Sequence, residues 1–148
     1  MMKTGILAVA IAAMMFNVIA YAGDDITVYK SATCGCCNKW INHLEQNGFK
    51  VKGVDVDNVI PYKIKYGLTP RLASCHTAVI EGYTIEGHVP AKDIRRLLKE
   101  KPDLIGLSVP QMPVGTPGME QGNRKDPYQV IGWDKNGKES VFTDYQKY

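Results

Sequence analysis

Ile26-Thr27-Val28-Tyr29-Lys30-Ser31-Ala32-Thr33-Cys34-Gly35-Cys36-Cys37-Asn38-Lys39-Trp40-Ile41-Asn42-His43-Leu44 is the stretch whose reading decides the fold. Its opening residues are apolar and β-prone and predict a strand over 26–30. Cys37, Trp40, Ile41 and Leu44 then recur at i, i+3, i+4 and i+7, the spacing of one helix face. A helix is therefore expected from about Cys36 to Gln46, closed by a left-handed cap at Asn47-Gly48. Three of the four cysteines fall where the strand ends and the helix begins. Backbone N–H groups are unpaired there and the helix dipole favours negative charge, so a thiol ionises more readily. A thiolate is both a nucleophile and a soft-metal ligand, and the location suits either chemistry. Trp40 and Phe49 are expected in the core; His43 lies off the apolar face and is expected to be exposed.

Downstream, Phe49 to Val56 reads as a second strand. Asn58 to Tyr66 reads as a short helix with Val59, Ile60 and Ile64 on its apolar face and Pro61 in its first turn. Thr77 to Ile80 and Tyr83 to Ile85 form a hairpin about Glu81-Gly82. A third helix starts at Gly87-His88-Val89-Pro90. Ala91, Ile94, Leu97 and Leu98 make its inner face; Lys92, Arg95, Arg96 and Lys99 make a basic face expected to be solvated. A strand–helix–strand unit gives parallel neighbours, and the later hairpin is antiparallel. The expected architecture is α/β, a small mixed β-sheet flanked by helices. From about residue 102 a C-terminal extension follows. Leu107 to Met119 is Pro/Gly-rich and is expected to be neither helix nor central strand. Tyr128 to Asp134 and Lys138 to Asp144 read as a β-hairpin about Lys135-Asn136-Gly137.

Upstream, Lys3 precedes an almost wholly apolar run from Gly5 to Ile19, and Ala20-Tyr21-Ala22 fits a small-x-small cleavage site. Residues 1–22 are thus expected to be a secretory signal peptide, leaving residues 23–148 as one exported domain without a membrane anchor. Loss of Lys3 takes the formal charge from +3 to +2, too mild to argue for nucleic acid or an anionic membrane as partner. Export permits disulfides. Three cysteines crowded into one turn staple little chain, however, so a purely structural disulfide framework explains them poorly.

Cys34-x-x-Cys37 reads as a redox pair, with Cys34 attacking and Cys37 resolving. Cys36 complicates that reading and suggests a metal cluster instead. Cys75 begins a neighbouring strand and can approach the same end of the sheet. Zinc usually draws two spaced cysteine pairs, whereas Cu(I) accepts two or three thiolates, with thioethers as well. Thiolates this close can bridge more than one copper ion. Met112 and Met119 can be laid over the cysteines by the Pro/Gly loop, or can fill gaps in the core. His76 and His88 are candidates for copper ligation or for structural hydrogen bonding.

Four separated motifs, Tyr29-Lys30-Ser31-Ala32-Thr33-Cys34-Gly35-Cys36-Cys37, Ala73-Ser74-Cys75-His76-Thr77-Ala78-Val79, Ile85-Glu86-Gly87-His88-Val89-Pro90-Ala91 and Val109 to Glu120, carry a family resemblance. Together they resemble the periplasmic CopG-type copper-resistance proteins, a Cys-x-Cys-Cys family unrelated to the ribbon-helix-helix repressor of the same name. The resemblance runs from about Ile26 to Tyr145. It implies a thioredoxin-like fold, a periplasmic address and copper bound at the Cys-x-Cys-Cys motif. The implied ligands are Cys34, Cys36, Cys37 and Cys75, with Met112 and Met119 falling in the family's methionine run. The implied activity is interconversion of Cu(I) and Cu(II), with other periplasmic copper-handling proteins as partners. Thioredoxin-like proteins normally carry a cis-proline before the strand facing their cysteines. Leu72 to Thr77 contains no proline, which weighs against ordinary peptide-disulfide exchange by Cys34 and Cys37 and leaves room for a metal.

Overall fold

A computed structural model describes residues 25–146. The expected signal peptide lies outside the described residues. The elements are β1 (Asp25–Lys30), α1 (Gly35–Gln46), β2 (Lys50–Asp55), α2 (Ile60–Lys65), a 3₁₀ turn at Pro70–Leu72, β3 (Thr77–Ile80), β4 (Tyr83–Glu86), α3 (Ala91–Glu100), β5 (Gly106–Ser108), β6 (Tyr128–Trp133) and β7 (Glu139–Tyr145). No helix among them is long and apolar enough to cross a membrane.

The strands form one mixed sheet in the order β2-β1-β3-β4-β5-β6-β7. β1 and β2 are parallel, joined through α1, while β3 runs antiparallel to β1 and pairs with β4 as the expected hairpin. The turn residues Glu81 and Gly82 both have positive φ, as a two-residue hairpin loop requires. This βαβ unit followed by a hairpin and a helix gives the mixed α/β sheet that the order of elements predicts. Val28, Trp40, Leu44, Ala78, Ile85, Ile94, Leu97 and Leu107 belong to one continuous buried core. The Trp40 indole N–H donates to the Val89 carbonyl at 2.9 Å, which ties α1 to the segment that enters α3.

Three expectations need correction. Ser108 and Leu107 are not loop: with Gly106 they form a central strand, parallel to β4 and antiparallel to β6. Three residues suffice because the chain leaves the sheet before Pro110, whose missing N–H would break the ladder. The apolar face proposed for α2 is inverted. Ile60 and Ile64 are 52% and 70% exposed, and Lys63 is the buried residue, reaching inward to the Glu86 carboxylate at 2.5 Å. His43 is half-buried, because its Nε2 accepts the Ala91 N–H at 3.1 Å and so serves one of the unpaired amides at the start of α3. Burial lowers its pKa, with Glu120 opposing.

The basic face of α3 is largely exposed, as expected, and its side chains also strap neighbouring elements. Arg95 stacks on Phe49 and donates to the Asn47 carbonyl. Arg96 stacks on Phe142 and donates to the Phe142 carbonyl at 2.6 Å, and Lys92 lies over Tyr145. The buried Asp93 accepts the hydroxyls of Thr143 at 2.5 Å and Tyr145 at 2.7 Å. The C-terminal hairpin is therefore bolted to α3 through side chains as well as to β5 through the sheet. Replacing Asp93 with Ala leaves two half-buried hydroxyls without their charged acceptor, which costs about 1–3 kcal/mol. A thermal midpoint roughly 4–12 °C lower is expected for Asp93→Ala, and an unchanged midpoint would mean that the hairpin does not depend on this tie.

Candidate metal centre

The site lies at the carboxyl end of β1. Cys34 is the N-cap of α1, and its Sγ accepts the Cys37 N–H at 3.3 Å. The sulfur thus takes the place that a Ser or Asp oxygen occupies at most helix starts. Cys37 is buried on the inner face, while Cys34 and Cys36 are half-buried. Cys34 and Cys37 form a disulfide with a Cα–Cα separation of 5.3 Å, and Cys36 and Cys75 are free thiols. Cys36 Sγ lies 3.6 Å from Cys34 Sγ, and Cys75 Sγ lies 3.7 Å from Cys37 Sγ. All four sulfurs stand within 4.8 Å of one another. The sequence separation of Cys75 from the other three is bridged by β3, which brings it back beside β1.

Two histidines converge on Cys75. Its Sγ is 3.2 Å from His76 Nδ1 and 3.1 Å from His88 Nε2, making a second cluster that shares one thiol with the first. The tautomers follow from the partners. His88 Nδ1 is 2.7 Å from the Pro117 carbonyl, which can only accept, so Nδ1 carries the proton and Nε2 presents a lone pair to Cys75. His76 Nε2 is buried without a hydrogen-bond partner. A bare lone pair is easier to bury unpaired than an N–H, which assigns the His76 proton to Nδ1, directed at the Cys75 sulfur. Burial holds both rings neutral: it pushes His76 well below the ordinary imidazole range, helped by His88, and it lowers His88 against the Pro117 carbonyl and Glu120. The Trp40 ring packs on His76 with centroids 4.4 Å apart and His88 meets it edge-on at 5.1 Å, so neither imidazole is free to turn.

The Pro/Gly loop wraps the same end of the sheet and is pinned on both sides of the cysteines. At one end the Gln111 N–H donates to the Ala73 carbonyl at 3.1 Å and the Ser74 hydroxyl donates to the Gln111 carbonyl. At the other end Gly118, with φ +88°, lies flat on α1: a Cβ there would stand 2.8 Å from both the Cys36 carbonyl and the Trp40 nitrogen. Met112 and Met119 each follow one of these anchors by one residue, Met112 exposed and Met119 half-buried.

Sequence reading gathered the four cysteines and His88 but assigned nothing to Ser74, Lys63 or Glu86, which hold the turn carrying Cys75. Glu86 sits inside a quoted motif, and its type, a carboxylate ending an otherwise buried strand, was the available signal. Burial also pushes the Cys75 thiol up to about 12, with Cys36 adding to the effect and Ser74 opposing it. In the oxidised protein Cys75 is thus a neutral thiol at pH 7. Its alkylation, followed by peptide mass mapping, is expected to be slow at neutral pH and to quicken about tenfold per unit from pH 7 to 10, as the thiolate fraction grows. A rate already on a plateau by pH 9 would contradict the burial argument.

Comparison with known proteins agrees with this geometry. The family model described as a protein of unknown function, DUF411, matches residues 72–119, the span that contains Cys75, both buried histidines and the two loop methionines. No curated protein sequence matches the chain. Among solved structures, "Copper resistance protein copG- Form 2" superposes with a TM-score of 0.80 at 49% identity, covering 83% of this chain and 98% of that one. "Copper resistance protein copG- Form 1" gives a TM-score of 0.80 at 48% identity, covering 84% of this chain and 99% of that one. With near-half identity over nearly the whole of both solved chains, this chain belongs to the copG-type copper-resistance protein family.

Proposed function

We propose that the chain is a periplasmic copper-binding protein of copper resistance that holds Cu(I) through Cys34, Cys36, Cys37 and Cys75. The observation that carries the reading is the gathering of four sulfurs within 4.8 Å of one another. Thiolates select soft ions, and Cu(I) takes two or three of them at once. His88 joins as a nitrogen donor, since its proton is committed to Pro117 and its lone pair faces the sulfurs. Met112 and Met119 supply thioethers from the anchored loop. Four sulfurs and a shared second cluster suit more than one copper ion.

Copper is cargo in this reading, and the disulfide is the complementary redox couple. Opening Cys34–Cys37 to two thiolates consumes two electrons, and oxidation of two Cu(I) ions to Cu(II) supplies two. One disulfide therefore balances two copper ions, and the reverse reaction regenerates both. Loading Cu(I) onto Cys75 displaces the thiol proton to solvent, since the His88 Nε2 lone pair 3.1 Å away is then engaged as a donor.

A second reading, peptide thiol–disulfide exchange, draws on the Cys34–Cys37 disulfide itself. Against it, residues 72–77 contain no proline, so the cis-proline that normally faces such cysteines is missing. Cys36→Ser and Cys75→Ser separate the two, since dithiol exchange through Cys34 and Cys37 survives both changes and copper binding weakens with both.

The direct test is anaerobic Cu(I) titration of the reduced protein against a strong competing chelator, with zinc as control. At least one copper ion per chain should be retained. Cys34→Ser or Cys75→Ser should cost more than the ~10–100-fold typical of losing an outer-sphere partner. Complete transfer of copper from the unaltered protein to the chelator would refute the reading.

A further inference from the structure

Lys63 and Glu86 form a buried ion pair outside the thiol cluster. Glu86 is fully buried and the Lys63 side chain is 7% exposed, and they pair at 2.5 Å. The pair is part of a wider network. Glu86 Oε1 also accepts the Ser74 N–H at 2.6 Å, and Oε2 accepts the Thr77 hydroxyl at 2.7 Å. Thr77 Oγ1 in turn accepts from Lys63 Nζ at 3.2 Å. Ser74 and Thr77 bracket Cys75.

The backbone between the 3₁₀ turn at Pro70–Leu72 and the start of β3 at Thr77 has no regular structure. The Ser74 N–H therefore has no ladder partner, and burying it unpaired would be costly. Glu86 supplies the acceptor. The Gly87 N–H donates to the His76 carbonyl at 3.1 Å and fixes the far side of the same turn. No proline lies in residues 71–76 and no cis peptide among the described residues, so backbone chemistry alone does not set this turn. A buried ion pair generally adds no more stability than an apolar pair of the same shape. Its presence here is better explained by what it holds.

We infer that Glu86, with Lys63 as its counter-ion, is the positioning residue for Cys75: it clamps residues 74–77 and so sets the separation of the Cys75 sulfur from the α1 sulfurs. The inference deepens the copper reading, since it rests on Cys75 as a ligand. It is nonetheless testable without copper.

The test compares two double variants. Lys63→Met/Glu86→Leu keeps the volume and removes every acceptor, whereas Lys63→Met/Glu86→Gln keeps a carbonyl for the Ser74 N–H. In the oxidised protein, Ser74 amide hydrogen exchange and Cys75 alkylation should each quicken about tenfold or more in the Leu variant. Both should return toward the unaltered rates in the Gln variant. Cu(I) affinity of the reduced protein should fall ~10–100-fold in the Leu variant and recover in the Gln variant. A folded Leu variant with unaltered Ser74 exchange and Cys75 alkylation overturns the inference. Should that variant not fold, Lys63→Met/Glu86→Met, whose unbranched side chain follows the glutamate's path without an oxygen to accept the Ser74 N–H, decides the matter: unchanged Ser74 exchange and Cys75 alkylation in it overturns the inference. If the unaltered protein fails to hold copper, the copper reading falls while the exchange and alkylation results still judge the clamp.

Discussion

Antiparallel pairing of β1 with β3 is the constraint on which the site depends. Tyr29 stands opposite Thr77, so the end of β1 and the beginning of β3 meet at one edge of the sheet. Cys34 lies five residues beyond Tyr29 and Cys75 two before Thr77. Parallel pairing of these strands would send the two cysteine-bearing segments to opposite ends. The hairpin at Glu81-Gly82 returns the chain to the same edge, which delivers Glu86 and His88 there as well. Three separated segments thus converge without any long excursion, and each is anchored by a strand whose side chains fill the core.

The convergence carries an electrostatic cost. Sulfurs, imidazoles and an ion pair are packed where water is scarce, and every charged state there is disfavoured by desolvation. Outside the ion pair, whose charges offset each other, the groups stay neutral. Two cysteines are tied as a disulfide, Cys75 holds its proton, and both histidines are neutral. A soft monovalent cation of the kind proposed above would supply the charge that thiolates need to persist in such surroundings, and its entry would then be coupled to proton departure.

What was legible in the sequence was local. The Cys-x-Cys-Cys turn, the amphipathic face of α3, the Glu81-Gly82 turn and the Asn136-Gly137 hairpin are written in contiguous residues and follow from spacing and turn chemistry. The errors share a different origin, because in each a distant partner overrides the local pattern. Lys63 turns inward since Glu86 is there to receive it, leaving Ile60 and Ile64 outside. His43 is drawn down by an unpaired amide at the start of α3. Gly106 to Ser108 become a strand since β4 and β6 offer ladders on both sides, although three residues carry no periodicity of their own. That the four cysteines lie near one another was legible because a strand beside β1 brings Cys75 to the same end of the sheet, whereas the clamp around Cys75 depends on side-chain reach that no spacing rule encodes.

The loop from Pro110 to Glu120 links this architecture to the chemistry. Its glycines and prolines do more than connect β5 to β6. Gly118 permits the backbone to lie against the first turn of α1, and only in that position does the Pro117 carbonyl meet His88 Nδ1. The carbonyl fixes which ring nitrogen bears the proton, and thereby whether His88 offers Cys75 a lone pair or an N–H. A side chain at residue 118 would lift the loop from the helix and withdraw that carbonyl, changing the donor set at the sulfurs without touching a cysteine. The C-terminal segment is therefore part of the centre itself, and the hairpin that α3 holds in place through Asp93 and Arg96 secures its distal end.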